Sequence, residues 1–250
     1  AGPIGVPQFK EEAGRLGLSD EGFATQAAFL DYDRDGDLDM FLLNHNVVPI
    51  ENFNPVQVRS TPDPYVGDKL YENVGSATAP KFIDVSQRAG LVQHPLGYGL
   101  GVGIGDLNND GWPDIYVSND FLEHDYLYYN QGDGTFTEEL KGRMPHVSQF
   151  SMGNDIADYN NDGWLDVFVL RGAWLREYGE HPNSLLKNNG DGTFTDVTQM
   201  SGLLSFHPTQ TATWNDFNRD GLLDLFIGNE TAGAKSFHPC ELFINQGGED

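Results

Sequence analysis

Cysteine is almost absent from this 250-residue chain, where Cys240 stands alone. No internal disulfide can form, so cysteine usage leaves the redox compartment open and the fold must be held by packing. Basic residues are scarce as well, with 14 Lys and Arg against 38 Asp and Glu and a formal charge of -24. A surface of that sign repels phosphate backbones and anionic membranes, which sets nucleic acid aside as a partner. No apolar run approaches the roughly 20 residues of a spanning helix, so membrane insertion is not expected. Residues 1–7, Ala-Gly-Pro-Ile-Gly-Val-Pro, lack the basic and then apolar pattern of a secretory leader, and the expectation is a soluble chain, mature or truncated.

Glycine is plentiful at 30 residues, with 38% hydrophobic and 12% aromatic content, a mixture that favours short strands and tight turns. Self-similarity organises the whole chain. Four segments share the pattern D-x-[DN]-x-D-G-x-x-D and begin at Asp31, Asp106, Asp158 and Asp216. Each is followed at once by a short apolar run, Met40 to Leu43, Ile115 to Val117, Val167 to Leu170 and Leu225 to Ile227, which reads as a buried strand. A second shared segment follows, Leu70-Tyr-Glu-Asn73, Leu127-Tyr-Tyr-Asn130, Leu185-Leu-Lys-Asn188 and Leu242-Phe-Ile-Asn245, each completed by x-Gly. Two copies continue Gly-Asp-Gly-Thr-Phe, a hairpin signal because Asp-Gly accepts positive φ.

With a strand of small residues before each acidic loop, the unit has four strands, A to D, and the spacing of the loops suits a propeller blade with insertions. The fold class is therefore all-β, a β-propeller of four-stranded antiparallel blades with four repeats. They form a closed four-bladed ring or part of a larger propeller of seven or eight blades. One domain spans residues 1–250, with repeats near 7–80, 81–134, 135–192 and 193–248. The pattern from Phe9 to Leu18 matches Phe82 to Leu91 and Phe194 to Leu203, so a strand over 7–18 is expected to complete the last blade.

Oxygen side chains at loop positions 1, 3, 5 and 9, a carbonyl at position 7 and Gly at position 6 supply the shell that calcium prefers. The loops hold no Cys or His for zinc or copper. Position 12, a Glu in the helix-loop-helix calcium hand, is Leu42, Val117, Val169 or Ile227, so these loops join β-strands. Asp-Gly turns that bind nothing are the bland alternative.

The acidic loops, the L-[YFL]-x-N-x-G segments and the G-D-G-T-F turns resemble the FG-GAP/VCBS repeats of integrin α-subunit propellers and of bacterial propellers associated with the UnbV/ASPIC group. The literal Phe-Gly and Gly-Ala-Pro sequences of the integrin repeats are absent. The resemblance implies one structural calcium ion per repeat. Its ligands would be Asp31, Asp33, Asp35 and Asp39; Asp106, Asn108, Asp110 and Asp114; Asp158, Asn160, Asp162 and Asp166; and Asp216, Asn218, Asp220 and Asp224. The carbonyls of Asp37, Trp112, Trp164 and Leu222 would complete the four sets. It also implies a secreted or bacterial-surface protein, and brings no catalytic residue.

The A–B and C–D turns emerge on one face of a blade and the B–C and D–A loops on the other, so the second face is where recognition is expected. All seven His fall there: His45, His94, His124, His146, His181, His207 and His238. His collects in loops in any case; a His-rich face could also hold a second metal or a titrating ligand. Asp120, Glu123, His124 and Asp125 form the densest polar cluster, and Arg171, Trp174, Arg176 and Tyr178 offer stacking and anion contacts. Trp112, Trp164 and Trp214 read as ion cover or core. The leading function is a calcium-stabilised extracellular recognition or adhesion module for a protein or glycan, with homodimerisation or further blades as added contacts. The alternative is a polysaccharide lyase or hydrolase using His and carboxylates of the same face, although no nucleophile elbow, phosphate loop or HExxH motif is present.

Overall fold

The computed structural model describes residues 6, 8–47, 58–76, 78–121, 123–172, 179–231 and 237–248. Strands β1 (Ala24–Leu30), β2 (Asp39–Asn44), β3 (Lys69–Asn73) and β4 (Phe82–Asp84) form the first antiparallel sheet in chain order. The second holds β5 (Gly99–Gly105), β6 (Asp114–Asn119), β7 (Tyr126–Asn130) and β8 (Phe136–Glu138). The third holds β9 (Ser151–Ala157), β10 (Asp166–Arg171), β11 (Ser184–Asn188) and β12 (Phe194–Asp196). The fourth has three strands, β13 (Thr209–Asn215), β14 (Asp224–Asn229) and β15 (Glu241–Phe243). Two single-turn helices, α1 (Ala13–Leu16) and α2 (Leu140–Arg143), are the described helices longer than three residues.

The register repeats with the sequence. In every blade the last residue of strand A pairs with the Asp at loop position 9: Leu30 with Asp39, Gly105 with Asp114, Ala157 with Asp166 and Asn215 with Asp224. The A strands β1, β5, β9 and β13 pack against one another in series. Their small residues are required by that approach. A Cβ added at Gly101 would lie 2.6 Å from the Cα of Gly153 in the neighbouring strand, closer than any side chain tolerates.

The cores lie between sheets. Leu30, Phe41, Leu43 and Leu70 of the first blade meet Ile115, Val117 and Tyr128 of the second. Tyr116 and Leu127 meet Val167, Val169 and Leu186. Phe168, Leu170 and Leu185 meet Leu225 and Ile227. Strands β2, β6 and β10 are covered on both faces, β2 through Leu16 and Leu18, which is why their sequences read as continuous apolar runs. The A strands of the first and last sheets are largely uncovered: β1 buries only Leu30, and β13 only Thr209.

One expectation is corrected. The segment over 7–18 does not complete the last blade. Residues 8–12 form no strand, Ala13–Leu16 is helical, and Phe9 is 96% exposed. Leu16 and Leu18 pack instead on Met40, Leu42, Tyr71 and Phe82 of the first blade. The Phe9 pattern matches a D strand together with the segment that follows it, and only that second part, ending at Leu16 and Leu18, is reproduced in the structure, where it packs on the next blade. Ala89 and Leu91 likewise join the cluster containing Tyr128 and Phe136 of the second blade.

Candidate metal centres

Each acidic loop leaves strand A and turns back into strand B through two left-handed residues. Position 6 is Gly in all four, with φ between 87° and 95°. Position 4 shares the conformation without being glycine: Arg34, Asn109, Asn161 and Arg219 have φ of 54° to 65°. That second bend drives the side chains of positions 1, 3 and 5 into the same hollow.

In the first loop, oxygens of Asp31, Asp33 and Asp39 all lie within 4.8 Å of one another. Asp31 Oδ1 and Asp37 Oδ1 are shielded from solvent and have no hydrogen-bond partner. Burial, and then the charges of Asp35 and Asp31, push the Asp37 carboxyl above its ordinary value; burial does the same to Asp33, whose bond from Asp35 N–H opposes it. Crowded carboxylates with orphaned oxygens fit a hard divalent cation, and the donors are all oxygen.

The other loops have one arrangement. Asp106 accepts the amides of Asp110 (3.0 Å) and Gly111 (2.8 Å), and Asn108 Nδ2 donates to Asp110 Oδ2 (2.9 Å). Asp158, Asn160 and Asp162 reproduce this around Gly163, and Asp216, Asn218 and Asp220 around Gly221. Trp112, Trp164 and Leu222, which would offer carbonyls, donate their amides to the position 5 Asp at 2.8, 3.0 and 2.9 Å.

Position 9 has a further job that the sequence reading missed. Asp114 is fully buried and accepts two backbone amides, Leu107 N at 2.8 Å and Asn130 N at 2.9 Å. Asp39 holds Tyr32 N and Asn73 N, and Asp224 holds Phe217 N and Asn245 N, in the same way. Asp166 holds Asn188 N at 2.8 Å. The residue ties the acidic loop to strand C. Burial pushes the carboxyls of Asp39, Asp114 and Asp166 up to about 7 against the amide bonds that favour the charged form.

The Asn of L-x-x-N clamps one blade to the previous one. Asn130 Nδ2 donates to Tyr32 O, Asn188 Nδ2 to Leu107 O and Asn245 Nδ2 to Tyr159 O, at 2.8, 2.7 and 3.1 Å. Its Oδ1 caps the following Gly amide, at Gly132, Gly190 and Gly247.

At the opposite end the carboxylates singled out from the sequence prove to be structural. Asp125 is fully buried, accepting Asn119 N (2.8 Å), Tyr116 Oη (2.8 Å) and Ser151 Oγ (2.9 Å), and burial raises its carboxyl to about 6. Glu123, 1% exposed, is held by both terminal nitrogens of Arg59 at 2.9 and 2.7 Å, with His94 and His124 beside it. Burial lowers the pKa of both histidines. Asp120 accepts Phe121 N, and burial raises its carboxyl. Aromatic and imidazole rings pack on one another at this end: His45 against the buried Tyr98 and Tyr98 against Phe121, His124 against the buried Tyr126, Phe150 stacked on His181, and His207 Nδ1 2.8 Å from His238 Nδ1. His146 is bonded to Asp196 at 2.8 Å, and Arg171 Nε donates to Ser148 Oγ at 2.7 Å. Trp174, Arg176 and Tyr178 lie outside the described residues. Sequence reasoning missed Arg59, although the pin of the B–C connection was visible in the first three blades two residues before the strand C leucine, as Asp68, Asp125 and Asn183; the fourth has Cys240 at that place.

Blades tied by Asp and Asn, each with an oxygen-rich A–B loop, define an all-β repeat protein of the propeller class. The FG-GAP-like repeat family matches residues 106–169 and 158–227, and the chain carries FG-GAP-like repeats. Cartilage acidic protein 1 of Xenopus tropicalis is 33% identical over 134 residues, covering 52% of this chain and 20% of that protein. The Homo sapiens protein of that name is 29% identical over 150 residues, 58% of this chain and 21% of that protein. The chain therefore spans about a fifth of the length of these relatives. A solved Agrocybe aegerita lectin that recognises non-reducing terminal N-acetylglucosamine aligns over 88% of this chain and 66% of its own, with 17% identity and a TM-score of 0.33.

Proposed function

We propose that this chain is a calcium-stabilised extracellular recognition module, binding a protein or glycan through the face of its B–C and D–A loops. The observation that carries the reading is the unlikeness of the two ends of the blades. One end repeats a single oxygen-rich loop four times; the other presents loops of different length, lined by His and aromatic rings. A repeated end suits a structural ion, and an irregular end suits recognition. Asp31, Asp33, Asp35 and Asp39, and the side chains at the same positions of the other loops, would hold the ion, which supplies positive charge to crowded carboxylates and fixes the turn. Sites of this kind at the roughly 0.1–1 mM level belong to extracellular modules, and the relatives are named for cartilage. The lyase or hydrolase alternative loses ground, because Asp125 and Glu123 are already committed to holding loops.

The test has two arms. Calorimetric titration with calcium is expected to fill four sites, and chelation to lower the melting temperature; an unmoved transition would refute the structural ion. Arrays of glycans and extracellular proteins then identify a ligand, and His124→Ala with His181→Ala is expected to weaken its binding without shifting the melting temperature. Binding that survives those changes but is lost on altering Asp133 or Asp191 would place recognition at the other end.

A further inference from the structure

The acidic loops are bonded to one another as well as to their own blades. Asn109, position 4 of the second loop, donates from Nδ2 to Gly163 O of the third loop at 3.1 Å. Asn161, position 4 of the third loop, donates to Gly221 O of the fourth at 3.4 Å. At the first junction Arg34 replaces the amide, and its guanidinium lies 5.2 Å over the ring of Trp112 in the second loop. The left-handed backbone at position 4, with φ of 58° at Arg34, 54° at Asn109 and 58° at Asn161, points each side chain out of its own loop.

The bond falls on a sensitive peptide. Gly163 O belongs to the peptide linking positions 6 and 7, whose N–H on Trp164 is bonded to Asp162 Oδ1 at 3.0 Å. That peptide is therefore held at its carbonyl by the previous blade and at its amide by a proposed ion ligand. The fourth loop repeats this, with Leu222 N bonded to Asp220 Oδ1 at 2.9 Å. An amide fixed at both ends holds the carboxylate of position 5 in one place, and a preorganised ligand binds more tightly than one that must be ordered on binding.

We propose that Asn109 and Asn161 are positioning residues for the cation sites of the blade that follows each of them. The proposal rests on the reading of these loops as calcium sites. It assigns asparagine to position 4 two tasks: accepting a left-handed backbone and donating across the blade boundary. Arg219, at position 4 of the last loop with φ of 65°, has no following loop among the described residues and so serves as an internal control.

The test is calcium titration of glycine-labelled protein, with the amide signals of Gly111, Gly163 and Gly221 each reporting its own loop. Asn109→Gly keeps the left-handed turn and removes the donor. Losing one exposed hydrogen bond is expected to raise the calcium midpoint at Gly163 by roughly two- to tenfold, with Gly111 unchanged. Asn161→Gly is expected to do the same at Gly221. Arg219→Gly is expected to leave all three midpoints in place. A shift at Gly111 equal to that at Gly163, or an equal effect of Arg219→Gly at Gly221, would mean that added flexibility in a variant's own loop is responsible and would overturn the proposal. Unchanged midpoints in Asn109→Gly and Asn161→Gly, in a wild type that responds to calcium, would overturn it alone. A wild type whose glycine signals ignore millimolar calcium would overturn the calcium reading first and this proposal with it.

Discussion

Replacing Asn188 with Ala tests the claim that blades are bolted together by the Asn of strand C. The side chain is 1% exposed, and three of its bonds disappear: Nδ2 to Leu107 O at 2.7 Å, Nδ2 to Leu165 O at 3.1 Å, and Gly190 N to Oδ1 at 3.0 Å. The Leu107 carbonyl, left without this partner in a buried site, costs about 1–3 kcal/mol and the two part-buried groups about 1–1.5 kcal/mol each, so the whole change is expected to cost about 3–6 kcal/mol. That is a large part of the roughly 5–15 kcal/mol that holds a domain. Asn245→Ala removes the same three bonds, to Tyr159 O, Leu223 O and from Gly247 N, but the site is half-exposed. Water can replace the lost partners there, and the cost is expected to stay below about 1.5 kcal/mol. Urea denaturation at fixed calcium, followed by tryptophan fluorescence and circular dichroism, reads both. Equal losses for the two variants would refute the argument, because burial would then not be setting the cost of the clamp.

Asp68 is buried and accepts Asn44 N at 3.0 Å, and burial raises its carboxyl to about 7. The folded form therefore binds its proton more tightly than the unfolded chain, so stability from this group is fully present near pH 4 and is lost as pH rises towards 7, on the order of 4 kcal/mol as an upper bound. Asp68→Asn keeps the acceptor, as Asn183 does in the third blade, and its advantage over wild type is expected to grow between pH 4 and 7.5 in chemical denaturation; a constant difference would contradict this. Gly101→Ala is expected to cost about 2–3 kcal/mol in the same assay, because its Cβ meets the backbone of Gly153 and forces β5 from β9. Arg59→Ala strands a buried Glu123 and is expected to cost about 1–2 kcal/mol, the partner arginine being half-exposed, with Glu123→Gln restoring part of the loss.

The blades were legible because each strand had a local signature. Runs such as Met40 to Leu43 are apolar since both faces of strand B are covered, and the acidic loops fix the A–B register to the residue. The Asn of strand C was legible as a turn signal, but not as a bond to the blade before it, since Asn130 and Tyr32 are far apart in sequence. The loop face misled for a related reason. Asp125 looks like an exposed charge within Glu-His-Asp, yet its place two residues before Leu127 makes it the pin for Asn119. The 7–18 pattern was real, but pattern does not say on which sheet a segment lies, and Leu16 and Leu18 chose the first.

The four acidic positions of a loop do not all serve the same end, and a pair of substitutions separates them. Asp110 at position 5 is exposed, and its carboxylate accepts Trp112 N and the amide of Asn108. Asp114 at position 9 is buried, and its two oxygens hold Leu107 N and Asn130 N. Asp114→Ala leaves both amides unpaired inside the blade, a loss of about 2–6 kcal/mol that owes nothing to an ion. Asp110→Ala gives up little besides the cation's contribution, at most roughly 2.7 kcal/mol at a hundredfold excess of calcium over Kd. With chelator present, the gap between Asp110→Ala and wild type is therefore expected to close, while Asp114→Ala stays far below both. Melting curves of the three proteins with and without calcium decide it. If chelation erases the penalty of Asp114→Ala as well, position 9 acts through the ion and the latch described here is not what holds loop to strand. If Asp110→Ala keeps its full penalty in chelator, the exposed loop bonds stabilise the blade by themselves, and the ion would not be needed to explain why the loop recurs four times.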